Sequence, residues 1–189
     1  MVTARHGRGA AVLSGGVALA LALAGCDGDG DNKASSVPST PVPSTSAADP
    51  QEAEKAAVLA AYSSMSAEQM KAYRKADAKG TDLEKYTTLD ALARIRLDLA
   101  RMKKAGTVVR GEIGHDAKVT GLDMGAKTPK ATLSDCVDLS RYETYDTRAN
   151  KPIPLPTEQP LRYVMTVRAE KWPNGWMVTA INPQGGPTC

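Results

Sequence analysis

The chain has 189 residues, and its 24 lysines and arginines against 21 aspartates and glutamates give a net charge of +3 at pH 7. A balance so close to neutral argues against a nucleic-acid-binding surface, which needs a concentrated basic face. The chain contains no phenylalanine, so its interior is expected to be mainly aliphatic.

The first 25 residues have the three zones of a secretory signal peptide. Arg5, His6 and Arg8 give a positive start, and an uncharged run rich in alanine, leucine and valine follows from residue 10 to residue 24. This run is too short to cross the hydrocarbon core of a bilayer, which needs roughly 20 residues. Residues 1–25 are therefore predicted to be removed on export, which leaves 22 basic and 21 acidic residues and a net charge of +1.

The uncharged run ends in Leu23-Ala24-Gly25-Cys26, which resembles the lipobox of bacterial lipoproteins. In that motif small residues fit the signal peptidase, and the cysteine thiol takes a diacylglycerol. The resemblance implies that Cys26 carries lipid and holds the protein on the outer face of the cell membrane, since stable anchoring needs two or more acyl chains. The alternative is an ordinary secretory signal in which the cysteine occurs by chance.

Residues 26–48 are predicted to be the lipidated cysteine followed by a disordered linker. Serine, threonine and proline dominate this segment, and such a composition cannot bury enough apolar surface to fold. The Asp-Gly repeats at its start suggest a calcium loop, but an EF-hand needs glycine at position 6 and glutamate at position 12, where this chain has Asn32 and Pro38. A solvated spacer is the preferred interpretation, and no metal site is predicted.

The globular part of the sequence begins with helices. An aspartate and a proline at positions 49–50 have the residue types of an N-cap and a first helical position, and the apolar spacing of this helix fades near Gly80. Residues 81–84, Thr-Asp-Leu-Glu, form a capping box that predicts a second helix start. An apolar stripe then continues to Gly106, and a break near residues 87–88 is expected to divide it into a short helix and a long one.

After the helices the apolar residues alternate, which predicts strands. The five strand candidates are residues 107–114, 117–124, 130–138, 161–170 and 176–182. Asn174-Gly175 is typical of a hairpin turn between the last two, whereas residues 147–160 contain four prolines and are predicted to be a loop. Helices followed by antiparallel strands predict an α+β class, and about 140 residues, 49–189, suit one domain with a single core.

Two cysteines, Cys136 and Cys189, remain if Cys26 carries lipid. Disulfides persist in exported proteins, so these two cysteines are predicted to pair. The alternative is a buried free thiol at Cys136 and a frayed C-terminal segment.

Short motifs accompany this order of elements. They are Asp-Cys-Val-Asp at 135–138, Trp-Met-Val at 176–178, Cys189, and the segment 83–86 with its following helix and Gly106. Together they resemble the nuclear transport factor 2-like cone fold, in a branch found in secreted lipoproteins of the actinomycete type. The resemblance implies N-terminal helices packed on a curved antiparallel sheet. That branch is mostly without an assigned activity, and elsewhere the fold serves isomerases, dehydratases, ligand binders and assembly modules, so fold does not decide function.

Asp135 is the side chain that most suggests chemistry. On a strand it shares one face with Leu133 and Val137, which is expected to point inward. Desolvation raises the pKa of buried carboxyl groups and suits them to acid–base catalysis. The resemblance adds that cone-fold isomerases use inward carboxylates in this way. The alternative is a structural aspartate, hydrogen-bonded to tyrosine, arginine or backbone.

Three tyrosines on the predicted helices, Tyr62, Tyr73 and Tyr86, have an inward bias. With Asp135 they are candidates for the lining of a ligand pocket. The alternative is that they pack in the core.

Three other side chains have simpler interpretations. His115 is predicted to lie in an exposed turn, and a lone histidine without nearby thiolates makes neither a metal site nor a catalytic triad. Trp172 and Trp176 bracket the hairpin, where they form either a binding lip or a cross-strand pair that stabilises the hairpin.

These observations predict a lipid-anchored extracytoplasmic protein whose domain, without a cofactor, binds a small apolar ligand or an envelope protein. The alternative is a cofactor-independent isomerase or dehydratase that uses Asp135 as acid and base. A purely structural envelope protein, with neither a pocket nor a patch, is the third interpretation. A second polar group opposite Asp135 in a pocket of substrate size would favour the enzyme, and a packed interior or an exposed apolar sheet face would favour the binding module.

Overall fold

The computed structural model describes residues 49–185 and 188–189, so the predicted signal peptide, Cys26 and the linker lie outside the described residues. The three helices are α1 (Pro50–Tyr73), α2 (Leu83–Tyr86) and α3 (Leu89–Ala105). The seven strands are β1 (Thr107–Gly111), β2 (Gly114–Asp123), β3 (Lys130–Asp138), β4 (Tyr142–Asp146), β5 (Lys151–Ile153), β6 (Arg162–Trp172) and β7 (Gly175–Pro183). The predicted α+β class, with helices before antiparallel strands, is confirmed. Within the described part of the chain, every helix is too short or too polar to span a membrane.

Helix α1 begins where the sequence predicts. The Oδ1 atom of Asp49 accepts a hydrogen bond from the backbone N–H of Gln51 at 2.9 Å, and a proline occupies the first helical position. The helix ends before the predicted point at Gly80, because Ala76 adopts a left-handed backbone conformation with φ of 49°. The N–H of Asp77 then donates back to the carbonyl of Ala72, which closes the helix end.

The predicted break between the second and third helices is confirmed. The hydroxyl of Thr87 and the backbone N–H of Thr88 both donate to the carbonyl of Val178, each at 3.0 Å. These bonds fasten the segment between α2 and α3 to β7, so the two helices cannot be continuous. The predicted capping box is absent: the N-cap of α2 is Asp82, and its carboxylate pairs with the side chain of Lys85 and not with a backbone N–H of the helix.

The strands form two antiparallel sheets. The larger sheet has the order β2-β3-β6-β7, and the smaller has the order β1-β4-β5. The described strands therefore do not close into a single barrel. Strand β3 lies inside the larger sheet, where Asp135 is opposite Ala117 of β2 and Met165 of β6.

Two strand predictions need correction on the N-terminal side of the sheets. The strand predicted over residues 107–114 ends at Gly111, where φ is +74° and an added Cβ would lie 1.9 Å from the carbonyl oxygen of Arg141. The chain therefore turns earlier than predicted. His115 consequently belongs to β2 and not to an exposed turn.

Strands β4 and β5 were not among the predicted elements. Strand β4 pairs with β1, and β5 pairs with β4 inside the stretch 147–160 that was predicted to be a loop. Pro152 is tolerated in β5 because this strand lies at the edge of its sheet, where proline's lack of an N–H donor does not interrupt the pairing with a further strand. All three residues of β5 are exposed.

The core lies between the helices and the inner face of the larger sheet. Its fully buried side chains are mostly aliphatic, as expected from a chain without phenylalanine. They include Val58, Met65, Ile95, Leu133, Val137, Val167 and Val178. Strand β3 alternates buried and half-buried residues along its length, so the inward face contains Asp135 between two buried aliphatic neighbours.

The predicted cross-strand pair of tryptophans is not formed. Trp172 is opposite Gly175 and Trp176 is opposite Lys171, so the two rings do not face each other across the hairpin. Trp176 is 5% exposed and its Nε1 donates to a carboxylate oxygen of Glu54 at 2.9 Å. Bonds from Lys171 and Trp176 lower the pKa of Glu54 and fasten the start of α1 to the hairpin.

The predicted disulfide between Cys136 and Cys189 is present. Cys136 lies next to Asp135 on β3, and successive side chains of a strand point to opposite faces. The bond therefore attaches the C-terminal segment to the outer face of the larger sheet, away from the core.

Candidate functional site

Asp135 is at the centre of a buried polar cluster. Its side chain is 0% exposed, and its Oδ2 atom accepts a hydrogen bond from the hydroxyl of Tyr62 at 2.7 Å. The same oxygen lies 2.7 Å from Nδ1 of His115. The other oxygen, Oδ1, makes no hydrogen bond with any described residue. One carboxylate thus joins α1 to two neighbouring strands.

The sheet register brings His115 to this carboxylate. His115 is opposite Val137, and Asp135 lies two residues before Val137 on the same face of β3. An ionised carboxylate only accepts hydrogen bonds, so the tautomer that fits this contact carries its hydrogen on Nδ1. In the neutral form of that tautomer Nε2 is an acceptor, and the side chain is 26% exposed. A histidine oriented by a buried carboxylate is an arrangement that suits proton transfer.

Tyr62 remains a donor in this cluster. Burial and the negative charge of Asp135 raise the pKa of Tyr62 far above its ordinary value, so the phenol keeps its proton. Its ring meets the ring of His115 edge to face, with centroids 5.5 Å apart. Tyr62 therefore fixes the position of both Asp135 and His115.

A cavity of about 310 Å³ opens beside this cluster. Four tyrosines contribute to its walls: Tyr62, Tyr73, Tyr142 and Tyr163. Apolar side chains, among them Met65, Met165 and Ile181, form much of the remainder. The volume lies at the lower end of the range for small-molecule sites, which are mostly apolar with a few placed polar groups.

The cavity also contains charged and polar side chains. Arg94 and Asp98 line it from α3, and His115 lines it from β2. The hydroxyl of Tyr73 donates to Oδ2 of Asp98 at 3.1 Å. Burial and the charge of Asp98 raise the pKa of Tyr73, so this tyrosine also stays protonated.

A second cavity, of about 460 Å³, lies between α1 and β2. It shares Tyr62, Ile113 and His115 with the first cavity. These three side chains therefore form the wall between the two spaces, and His115 borders both.

The four residues predicted to line a pocket have different positions. Tyr62 and Tyr73 line the first cavity, and Asp135 is buried behind Tyr62 and His115. Tyr86 lines neither of the two cavities and instead packs, half-buried, against the core from α2.

His115 is the site residue that sequence reasoning missed. The alternation of His115, Ala117 and Val119 with polar residues between them continues the pattern of β2 back to its start. This alternation is the signal that could have placed His115 on the inward face. Among residues 49–185 and 188–189, no group of three or more His, Cys, Asp or Glu side chains is arranged to hold a metal ion.

Comparison with known proteins leaves the family of this chain open. No protein family model matches it, and no curated protein matches it. Among solved structures it is similar to the intermembrane space region of the chloroplast protein ARC6, with a TM-score of 0.46 and 15% identity. That alignment covers 75% of this chain and 100% of the other. A likeness this weak carries no conclusion about function.

Substitution of Asp135 by alanine is expected to lower the free energy of unfolding by about 3 kcal/mol, because it leaves the buried hydroxyl of Tyr62 without its acceptor and removes the partner of the part-exposed His115. Urea denaturation followed by circular dichroism measures the loss. The matched control is Asp138→Ala on the opposite face of β3, where the carboxylate is part-exposed and accepts from the N–H of Ser140. This control should lose much less stability, and equal losses in the two variants would contradict the assigned role of Asp135.

Proposed function

We propose that this domain binds a small, largely apolar molecule in the cavity of about 310 Å³ beside Tyr62 and His115. The observation that carries the proposal is the cavity itself, with its apolar side chains, its ring of tyrosines and its few polar groups. An interior packed for stability alone leaves few voids larger than a water molecule. A space of this size and lining suits a ligand of modest length.

A ligand explains the molecule better than a docked protein does. Large exposed hydrophobic side chains in the described residues are Leu89, Leu97, Met124, Ile153, Leu161 and Trp172. They are spread over α3, β5, the end of β6 and the turns beside the strands. Single exposed apolar residues are ordinary on protein surfaces, whereas a partner site needs a continuous patch. The binding of an envelope protein is therefore the weaker form of the same proposal.

The proposal places the domain on the outer face of the cell membrane, held by lipid on Cys26. The lipobox-like motif at residues 23–26 supports this location. The disulfide between Cys136 and Cys189 is a bond of the kind that persists in exported proteins. The serine- and proline-rich residues 27–48 would then serve as a spacer of ~25 Å between membrane and domain.

We also propose kinship with the nuclear transport factor 2-like cone fold of secreted lipoproteins. Three helices followed by antiparallel strands support this kinship, as does an inward-facing carboxylate on β3 beside a cavity. The kinship leaves the chemistry open, since that fold serves binders and enzymes alike.

A second candidate function is that of a cofactor-independent isomerase or dehydratase. The observation that favours it is His115, a second polar group beside Asp135 that borders the cavity, whereas Asp135 itself does not line the cavity. In such an enzyme Nε2 of His115 would take a proton from the substrate and return it to a different atom. Asp135 would stabilise the imidazolium in between. Recovery of the bound molecule after incubation in deuterium oxide distinguishes the two functions, since only catalysis introduces deuterium at carbon.

Native mass spectrometry of the full-length protein, purified from its own cell envelope, tests the binding proposal. The wild type is expected to carry an additional small-molecule mass. Ile181→Trp would fill part of the cavity and should reduce the occupied fraction at least tenfold. Met124→Trp, at an exposed position outside both cavities, is the control and should retain the ligand.

Thermal unfolding curves would show that both tryptophan variants are folded. An unliganded mass for the wild type would contradict the proposal. Undiminished occupancy in Ile181→Trp would do so as well.

A further inference from the structure

Two carboxylates, one lining the cavity of about 310 Å³ and one buried behind its wall, each accept hydrogen bonds through one oxygen atom. Asp98 accepts from the hydroxyl of Tyr73 and also faces the guanidinium of Arg101 at 3.8 Å. Asp135 accepts from Tyr62 and His115 and is wholly shielded from solvent. Asp135 is therefore out of reach of a ligand, and Asp98 already has a hydroxyl and a guanidinium beside it.

Other donors of the same cavity, on Arg94, Tyr142 and Tyr163, have no acceptor among the described side chains. Arg94 lines the cavity from α3, and among the described residues no carboxylate lies within 4.0 Å of its guanidinium. Within residues 49–185 the tyrosine hydroxyls that make hydrogen bonds are those of Tyr62, Tyr73 and Tyr145, so the hydroxyls of Tyr142 and Tyr163 in the cavity wall have none. Donors without a protein partner are complementary to a ligand that accepts hydrogen bonds.

These free donors, on Arg94, Tyr142 and Tyr163, line one and the same cavity. Burial and the negative charge of Asp135 raise the pKa of Tyr163, and the positive charge of Arg94 opposes that rise. Met65, Met165 and the ring faces of the tyrosines leave an apolar space beyond them.

We infer that the ligand is a small amphipathic carboxylic acid, an inference that rests on the proposed binding function. Its carboxylate would meet the guanidinium of Arg94, with Tyr142 and Tyr163 as further donors. The planar guanidinium presents two parallel N–H donors that match the two oxygens of a carboxylate. The apolar body of the acid would lie against Met65 and Met165.

The head group is a single negative charge and not a phosphate. His115 is committed to Asp135 through Nδ1, so Arg94 is the free cation among the described residues of the cavity. Asp98 lies four residues from Arg94 on the same helix and lines the same wall. Its charge would oppose the second negative charge of a phosphate monoester.

Isothermal titration of the full-length protein, stripped of native ligand, tests the inference with three probes. They are 4-phenylbutyrate, its neutral isostere 4-phenylbutanamide, and 3-phenylpropylphosphonate. The acid is expected to bind at least tenfold more tightly than the amide and at least threefold more tightly than the phosphonate. In Arg94→Gln the acid and the amide should bind within threefold of each other, with the affinity for the amide unchanged.

Arg96→Gln is the matched control. Arg96 also lies on α3, its exposed side chain pairs with Glu84, and it lines neither cavity. It should keep the preference for the acid. Equal binding of acid and amide by the wild type would overturn the carboxylate inference and leave the binding function intact. Tighter binding of the phosphonate would replace the carboxylate by a phosphate group. A preference that survives in Arg94→Gln, or disappears in Arg96→Gln, would overturn the role of Arg94.

Failure of all three probes to bind would also overturn the inference. The native mass spectrum then tests the binding function separately. A retained small-molecule mass would support that function and contradict only the assigned ligand class.

Discussion

Replacement of Cys26 by serine is expected to move almost all of the protein from the membrane fraction to the soluble extracytoplasmic fraction. Each buried methylene of an acyl chain contributes ~0.8 kcal/mol, and a diacylglyceryl cysteine carries two chains. Serine offers no thiol to accept this group, so the whole contribution is lost. Cell fractionation followed by immunoblotting measures the distribution, and mass spectrometry of the N-terminal peptide identifies the lipid.

Cys189→Ser is the matched control for this experiment. It removes the disulfide from the folded domain and leaves residues 23–26 unchanged, so the protein should remain with the membrane. Wild-type protein with an intact leader and an unmodified Cys26 would contradict the proposed anchor. So would a Cys26→Ser variant that still sediments with membranes.

Loss of the disulfide is expected to have the largest effect on the stability of the domain. Cys136 and Cys189 are 53 residues apart in the sequence, and closure of a loop of this length stabilises a fold by roughly 4 kcal/mol in the chain-entropy model. The double variant Cys136→Ser/Cys189→Ser should lose about this much free energy of unfolding. Urea denaturation, monitored by circular dichroism, measures the difference.

A reducing agent provides the control for the disulfide variant. Dithiothreitol should lower the stability of the wild type to that of the double variant and leave the double variant unchanged. Equal stability of the wild type with and without the reductant would show that the bond contributes nothing to the fold.

The elements that were predicted correctly depend on local signals. Asp49 and Pro50 specify the start of α1 by residue type alone, and the alternation over residues 130–138 specifies β3 in full. Strand β4 was missed because its stability comes from pairing with β1, which lies more than 30 residues earlier, and β5 depends in turn on pairing with β4. Prolines within residues 147–160 also concealed an edge strand that tolerates them.

The candidate site was predicted in part for the same reason. The inward position of Asp135 follows from the two-residue period of its strand, and a tyrosine was among its expected partners. The contact with His115 depends on the register between β2 and β3, which cannot be predicted from the local sequence of either strand. Gly114 and Asp116 beside His115 suggested a turn, whereas the chain reverses earlier, after Gly111.

The attachment of α1 to the hairpin gives the molecule an intrinsic optical reporter. Trp176 is buried and its indole N–H is hydrogen-bonded to Glu54. Trp172, the other of the two tryptophans in the chain, is 37% exposed. The emission of Trp176 should therefore lie at shorter wavelengths than that of Trp172. Detachment of the first helix would bring water to the indole of Trp176 and shift its fluorescence to the red, so opening of this end of the domain can be followed in real time without a label.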